Sequence, residues 1–334
     1  MQFWHWVIIG YLVMNLGGFI AYAADKSFAR KGKRRIMERD LILLAVLGGP
    51  LGCLLGMILC HHKTRKKKFT VTVPLFLIWY IFLTVFLTYQ NNNLVITKYD
   101  LGTDLGVKVV QISDLHNMNI MWDKDRIPRE TKALDPDIIV LTGDLVDSIH
   151  LDIDSALYTA GELAKITDTY FITGNHEYRL SQDDYFKLID GLETAGVKVL
   201  ANSYEILGED GKEYALIGLE DYSLEDQTLA VVTSAVKAQK GEDIPLVVLA
   251  HEPQYIDNYS SCGADIVFTG HAHGGQVVFP GGKGLVSPGE GLFPKYTSGV
   301  VSHGDTKMVV NRGLGNSVIP FRINNFPEIV VCEM

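Results

Sequence analysis

The sequence predicts an α/β domain preceded by an all-α transmembrane module. Three observations carry this reading. The first part of the chain holds three long uncharged apolar runs, the charge changes sign near residue 90, and from Val107 short β-branched runs alternate with helical stretches. The module is assigned to residues 1–90 and the α/β domain to residues 100–334.

Trp4 to Ala24 carries no formal charge and is long enough to cross a hydrocarbon core of about 30 Å. Trp4, Trp6, Tyr11 and Tyr22 lie towards its ends, where interfacial anchors sit, and His5 reads as interfacial too. A basic segment follows, Asp25–Asp40. Leu41 to Cys60 is again uncharged, but Gly48-Gly49-Pro50-Leu51-Gly52 interrupts its middle. A second basic segment, His61–Lys68, leads into the third apolar run, Val71 to Tyr89, with Pro74 expected in the first helical turn. A cleaved signal peptide fits badly, because no basic region precedes the first run and two further runs follow it.

Three full spans would put the two basic segments on opposite faces, whereas the positive-inside rule prefers both in the cytoplasm. A re-entrant hairpin turning at Gly48–Gly52 removes the conflict. It leaves two spans and favours the extracytoplasmic face for the following domain; three spans would place that domain in the cytoplasm. His61 and His62 read as part of a solvated basic surface, since no carboxylate partner is near in sequence.

Up to Tyr89 there are 12 Lys/Arg against 3 Asp/Glu, leaving 18 against 36 beyond it, so the domain has a net charge of −18. Such a surface repels polyanions, and nucleic acid is not expected as a partner. Cys53, Cys60, Cys262 and Cys332 show no paired spacing and read as small buried hydrophobes rather than a disulfide framework or zinc site.

Five apolar segments of the domain each end in Asp, Asn or His. VKVVQIS runs into Asp114-Leu115-His116, DIIVLT into Gly143-Asp144-Leu145-Val146-Asp147, and TYFIT into Gly174-Asn175-His176-Glu177. PLVVLA ends at His251, and ADIVFT ends at Gly270-His271-Ala272-His273. Open α/β sheets gather ligands beyond the carboxyl ends of their strands, so these residues can converge. Between them, Asp152–Ile166 has helical spacing, and Ser181 caps a helix through Phe186, Ile189 and Leu192 to Gly196. Glu205–Leu219 reads as a hairpin about Asp210-Gly211.

Each motif alone is weak, but the set is not. Carboxylates and imidazoles together suit divalent Mn, Fe or Zn, and they outnumber what one ion needs. A pair of ions is therefore expected, with a carboxylate such as Asp144 able to bridge them.

In this order, DLH, GDLVD, GNHE, the His of LAHEP and GHAH resemble the signature of the calcineurin-like metallophosphoesterases. The resemblance implies a four-layer α/β/β/α sandwich with two divalent ions, Mn²⁺ foremost. It implies that Asp114, His116, Asp144 and His273 hold one ion, and Asp144, Asn175, His251 and His271 the other. A hydroxide between the ions would attack phosphorus in line. His176 would meet a substrate phosphate or protonate the leaving group, oriented by Asp147; on the residues alone Asp147 reads equally as a turn residue. GHAHGGQV, FPKYTSG, VNRGLG and PFRINNFPEIVV are similar to bacterial membrane-associated members, among them hydrolases of UDP-2,3-diacylglucosamine. That similarity implies a diester or pyrophosphate linkage in a lipid-linked or membrane-proximal substrate, with Arg312, and less readily Arg322, on a phosphate. AADKSFARKGKRRIMERDLILLAVLGGPLGCLLG and HKTRKKKF resemble a small bacterial membrane domain of unknown function. The alternatives are a broad-specificity phosphomonoesterase and a non-catalytic membrane sensor on the same scaffold, the latter expected to have lost ligands.

Overall fold

The computed structural model describes residues 3–118, 123–209, 211–221, 227–316 and 319–334, with the backbone alone for 3–7. The side chains of Trp4, His5 and Trp6, and the whole of Asp210, lie outside the described residues. The chain divides into two compact units, Met1–Thr88 and Tyr89–Met334.

The first unit is helical: α1 (Phe3–Arg30), α2 (Glu38–Val46), α3 (Pro50–Leu59) and α4 (Lys67–Asn92). Within these, Ile8–Arg30 and Lys67–Asn92 are long and apolar enough to cross a membrane. Their apolar side chains point outward; Leu16 is 61% exposed and Ile78 64%. A core helix would bury them. Pro74 lies inside α4 and not in its first turn, because the helix already begins at Lys67.

Leu41–Cys60 is not one helix. α2 and α3 are separated at Leu47–Gly49, and Pro50 opens α3, where its missing N–H costs nothing. At 1.5 Å per residue each is only about 15 Å long, half of what a crossing requires. Exposed backbone at the tip is satisfied from within the unit. Asn15 of α1 donates to Gly48 O (3.0 Å) and accepts from Gly52 N (2.8 Å), while the Tyr80 hydroxyl of α4 donates to Val46 O (2.7 Å). Gly52 is required here, since a Cβ would stand 1.7 Å from Asn15 O.

A charged cluster closes the other end of the unit. Asp25 is fully buried and accepts from Arg35 (3.1 Å) and Ile36 N (2.9 Å), with His62 Nε2 at 2.7 Å. Lys63 bonds Glu38 at 2.9 Å, and Lys26 donates to His61 O at 2.9 Å. His62 and Lys63 are thus buried, not solvated as their sequence neighbours imply; the carboxylate that holds His62 comes from a distant segment.

The second unit contains two six-stranded sheets. One runs β1 (Val95–Asp100), β14 (Glu328–Glu333), β2 (Lys108–Ile112), β3 (Ile138–Thr142), β4 (Thr169–Ile172) and β5 (Lys198–Val199). The other runs β12 (Gly299–His303), β13 (Thr306–Val310), β9 (Ile266–Thr269), β8 (Leu246–Leu249), β7 (Tyr214–Gly218) and β6 (Ser203–Leu207). A small pair, β10 (Val286–Ser287) and β11 (Gly291–Leu292), stands apart.

Alternation along the strands builds three core layers. Ile139, Leu141 and Phe171 pack on α5 (Arg126–Ala133), α6 (Ile153–Ala164) and α7 (Gln182–Thr194). Val140, Tyr170 and Ile172 point the other way and meet Leu216, Val247 and Phe268 of the second sheet. Ile217, Val248 and Val267 then pack on α8 (Thr228–Lys240) and α9 (Ile256–Ser261). Strands buried on both faces explain the unbroken apolar runs in the sequence.

Asp152 caps α6 through Ser155 N (3.0 Å), and Ser181 caps α7 through Asp184 N (3.2 Å). Phe186, however, is 51% exposed, and the buried face of α7 is Leu188 and Leu192. β6 and β7 form the expected antiparallel hairpin. β1, and the β12–β13 hairpin, were not foreseen.

Asn15→Leu should orphan Gly48 O and Gly52 N, and lower the unit's stability by about 1–3 kcal/mol. Thermal unfolding of the detergent-solubilised chain checks this; an unchanged midpoint would show that Asn15 does not hold the tip.

Candidate metal centre

All five motif segments end at the carboxyl edges of β2, β3, β4, β8 and β9, central strands of the two sheets. The structure brings Asp114, His116, Asp144 and His273 into one group, with one ligand atom of each within 4.8 Å of the others. Asp144, His251 and His271 form a second group, so Asp144 belongs to both. These six side chains are buried.

The turns that deliver them are unusual. Asp114 (φ 50°), His116 (45°), Asp144 (53°), His271 (63°) and His273 (46°) are all left-handed. Non-glycine residues are uncommon there, and such strain collects at functional sites. Close approach also fixes two motif glycines. A Cβ on Gly270 would lie 1.8 Å from Ser113 Oγ, and one on Gly174 would lie 2.4 Å from Asp144 Oδ1.

Hydrogen bonds aim the ligands. Asp114 accepts His271 N–H through both oxygens (3.0 and 3.1 Å). Asp144 Oδ1 accepts His176 N–H (2.8 Å), leaving Oδ2 to face the cluster. His251 Nδ1 lies 2.8 Å from Thr142 O, a carbonyl that can only accept, so the proton sits on Nδ1 and Nε2 offers a lone pair. That lone pair faces Asp144 Oδ2 (3.2 Å) and His271 Nδ1 (3.2 Å). The Asn175 amide lies 3.2 Å from Asp144 Oδ2 and 3.1 Å from His271 Nδ1; its nitrogen donates to both while its oxygen accepts from Arg179 (3.0 Å), and a cation bound there would turn the oxygen inward. In the other group His116 Nε2 and His273 Nε2 face each other at 3.2 Å.

Acceptors directed at acceptors in a buried space repel unless a proton or cation lies among them. The donor set, oxygens and imidazole nitrogens with no thiolate, suits divalent ions of the Mn, Fe or Zn kind. Burial and the paired carboxylates respond in the same sense. Burial, and beyond it the neighbouring Asp144, raise Asp114 to about 6. Burial opposes a charged His251, but Asp144 and Asp114 outweigh it and raise this imidazole well above its ordinary value. Burial lowers His116 to about 4 and His271 to about 3, which keeps both neutral and able to ligate.

His176 is brought beside the cluster, its ring 4.6 Å from that of His116. Ser148 N donates to His176 Nδ1 at 3.1 Å, so the neutral ring carries its proton on Nε2. Burial lowers its pKa. Asp147 stands 3.7 Å from Nδ1, longer than a hydrogen bond, and its Oδ1 accepts Ile149 N at 2.8 Å. Asp147 therefore shapes the turn from which Ser148 reaches His176. Arg312 pairs with the buried Glu328 (2.9 Å). Arg322 is fully buried and donates to Arg312 O and Gly315 O, which makes it a brace rather than a phosphate contact.

Residues 107–275, just over half the chain, match the family described as calcineurin-like phosphoesterase. The chain belongs to this family. Its members use a dinuclear divalent metal centre, and the chain is a hydrolase of phosphoester bonds. Residues 15–69 match a second family, a protein of unknown function designated DUF1294. The uncharacterized metallophosphoesterase YkoQ of Bacillus subtilis is 28% identical over 225 residues, 67% of this chain and 82% of its own. Phosphodiesterase YaeI of Escherichia coli is 26% identical over 237 residues, 68% and 82% of the two chains. A Bos taurus protein named as a transmembrane protein with metallophosphoesterase domain is 29% identical over 239 residues, 67% of this chain and 52% of that one.

Several supporting residues escaped the sequence reading. Glu177 is fully buried and its carboxylate accepts N–H groups from Asp144 (2.9 Å), Val146 (3.2 Å) and Gly174 (2.8 Å). Burial and the Asp144 charge push it up to about 8, against those three donors. Asn325 donates to His273 O (2.7 Å) and so pins the last motif. Arg179 is exposed at the rim with one guanidinium nitrogen 3.0 Å from the Asn175 amide, and among the described residues no carboxylate lies within ion-pair distance of it. Glu177 stands inside GNHE and Asn325 inside PFRINNFPEIVV, but neither stretch tells what these side chains hold.

Glu177→Ala should orphan three buried N–H groups and cost about 3 kcal/mol or more. Denaturant unfolding of the chelator-treated chain checks this; a loss confined to the metal-loaded form would assign Glu177 to ion binding instead.

Proposed function

We propose that the chain is a membrane-anchored two-metal hydrolase that cleaves a diester or pyrophosphate linkage in a lipid-linked or membrane-proximal substrate. The observation that carries the metal reading is the pair of buried Asp/His groups sharing Asp144. Asp114, His116, Asp144 and His273 would hold one ion; Asp144, Asn175, His251 and His271 the other, with Mn²⁺ the expected species. A pair of ions there would supply Lewis-acid stabilisation of phosphoryl charge. His176 keeps its proton at Nε2, from which it can serve a phosphate oxygen or the leaving group. Arg179, exposed beside Asn175 and without a carboxylate partner among the described residues, suits a hold on further phosphate oxygens. The diester preference is supported by the name of YaeI as a phosphodiesterase.

The detergent-solubilised chain should bind about two divalent ions and lose activity on chelation. Asp144→Asn should weaken both sites, whereas Asp114→Asn should affect mainly one. His176→Ala should keep its ions and lose on the order of 10²–10⁴-fold in rate, less so with nitrophenolate leaving groups. A fully active enzyme holding a single ion, or a soluble monoester preferred over every lipid-linked diphosphate, overturns the reading.

The helical unit supports two spans with α2 and α3 as a re-entrant hairpin. Asp25 and Glu38 of one basic segment bond His62, Lys63 and Lys66 of the other, so both segments gather at one end. The positive-inside rule makes that end cytoplasmic and sends α4 outward, with the hydrolase domain following it outside. Reporter fusions after Tyr89 and within His61–Lys68 should report external and cytoplasmic locations respectively. The reverse result at either point excludes the hairpin.

A further inference from the structure

Directly after His273 the chain makes an excursion from Val277 to Lys295 that the site itself does not need. Its backbone is ordered by local pairing: Phe279 N donates to Lys283 O (2.9 Å), Phe293 N to Leu285 O (2.9 Å), and β10 pairs with β11. The base is fixed to the metal-binding loop, where Leu285 N donates to Gly275 O (3.0 Å). One turn reaches the site, since a Cβ on Gly289 would stand 3.5 Å from His271 Nε2. The opposite tips expose large apolar side chains: Phe279 43%, Leu292 70% and Phe293 63%. The two rings lie 6.4 Å apart, so this is one patch. Phe293 is held left-handed (φ 58°), a strained conformation for a bulky residue.

An apolar patch held out by strained backbone, beside a catalytic site, marks an interaction surface. Its charges identify the occupant. In a domain of net charge −18, Lys283 and Lys295 flank the patch and are exposed, while the one acid, Glu290, accepts the backbone N–H of Lys295 (3.3 Å). Aromatic and aliphatic tips flanked by lysines suit the boundary between lipid head groups and acyl chains, and the lysines suit anionic lipid. A protein partner would ask for a flatter and better-packed face than two projecting loop tips. The chain's own apolar helices tether it to such a surface.

We propose that Phe279, Leu292 and Phe293 form an interfacial tongue that dips into an anionic bilayer and so presents lipid-borne phosphate to the metal site. This rests on the membrane-anchored reading above. The test uses the full chain in nanodiscs of phosphatidylcholine with phosphatidylglycerol. Tryptophan placed by Phe293→Trp should be quenched by spin-labelled lipid beyond the quenching of the wild-type tryptophans. Leu292→Glu with Phe293→Glu should lower kcat/KM for a polyprenyl diphosphate embedded in the disc by about tenfold or more, since two buried apolar side chains are lost. The same variant should hydrolyse soluble bis(p-nitrophenyl) phosphate as wild type does. Absence of extra quenching, or equal loss on both substrates, overturns the tongue; so does concentration-dependent dimerisation abolished by the same substitutions, which would make the patch a contact between copies. If the wild type cleaves no embedded lipid while Phe293→Trp is still quenched, the substrate reading fails and the tongue stands.

Discussion

The centre of this molecule is a set of lone pairs that have been forced together. Asp144 Oδ2, His251 Nε2, His271 Nδ1 and the Asn175 amide crowd together at about hydrogen-bond distance, with the proton that the carboxylates hold on His251 set against them, and His116 and His273 bring two more imidazole nitrogens face to face beside them. Burial removes the water that would otherwise screen them. The folded chain tolerates this only because so much of the surrounding structure is committed to it. Five of the ligands sit in left-handed backbone, each of which costs on the order of 1 kcal/mol or more. Glu177 ties down three of the loops' N–H groups, and Asn325 and Arg322 tie down their carbonyls. These are the features expected of a site whose stability is completed by bound cations, and of loops that would relax if the ligands were replaced by neutral residues.

The same physics decides what the sequence discloses. Ligand positions were legible because a strand buried on both faces reads as an unbroken apolar run, and a polar residue closing such a run has nowhere neutral to go. Supporting residues were not legible. Arg322 and Asn325 act on backbone carbonyls, which have no sequence signature, and they reach Gly315 and His273 through the fold alone. Ser148 acts on His176 through its main-chain N–H, with its hydroxyl at the same 3.1 Å from Nδ1, and a serine in a loop has no pattern that announces either contact. Asp147 is expected from the resemblance to orient His176, yet its carboxylate serves the turn and the neighbouring amide of Ser148 meets the histidine. Phe186 misled for another reason: the apolar spacing of α7 includes one residue too many, and only packing shows which is left outside.

In the helical unit the rule is applied in reverse. There the surroundings proposed are apolar, and every broken turn of backbone must find its partner inside. The interruption at Gly48–Gly52 would be untenable as bare chain in hydrocarbon. Asn15 and Tyr80, both in the middle of long helices, supply the missing donor and acceptor groups. At the opposite end the buried Asp25 is matched by Arg35 and His62. A buried charge with good partners contributes little net stability, but removing one partner leaves the other stranded. Its clearest effect is specificity, since it ties the two basic segments together; in the proposed two-span arrangement the orientation would follow from where that charge collects.

Charge also bears on which phosphates can be reached. A domain of net charge −18 works against a polyanion laid along it, except where lysines such as Lys283 and Lys295 reverse the sign locally. A pair of divalent ions would reverse the field only locally, within a Debye length of about 8 Å, joined at the rim by Arg179. A phosphate borne singly on a narrow stem can enter that small positive region without crossing the acidic surface. A nucleic acid would bring its neighbouring phosphates with it, which is the physical ground for not expecting one as a partner. On the proposed reading the acidic domain and the cation site would act together, the one working against extended anions and the other offering a place for an isolated phosphoryl group presented end-on.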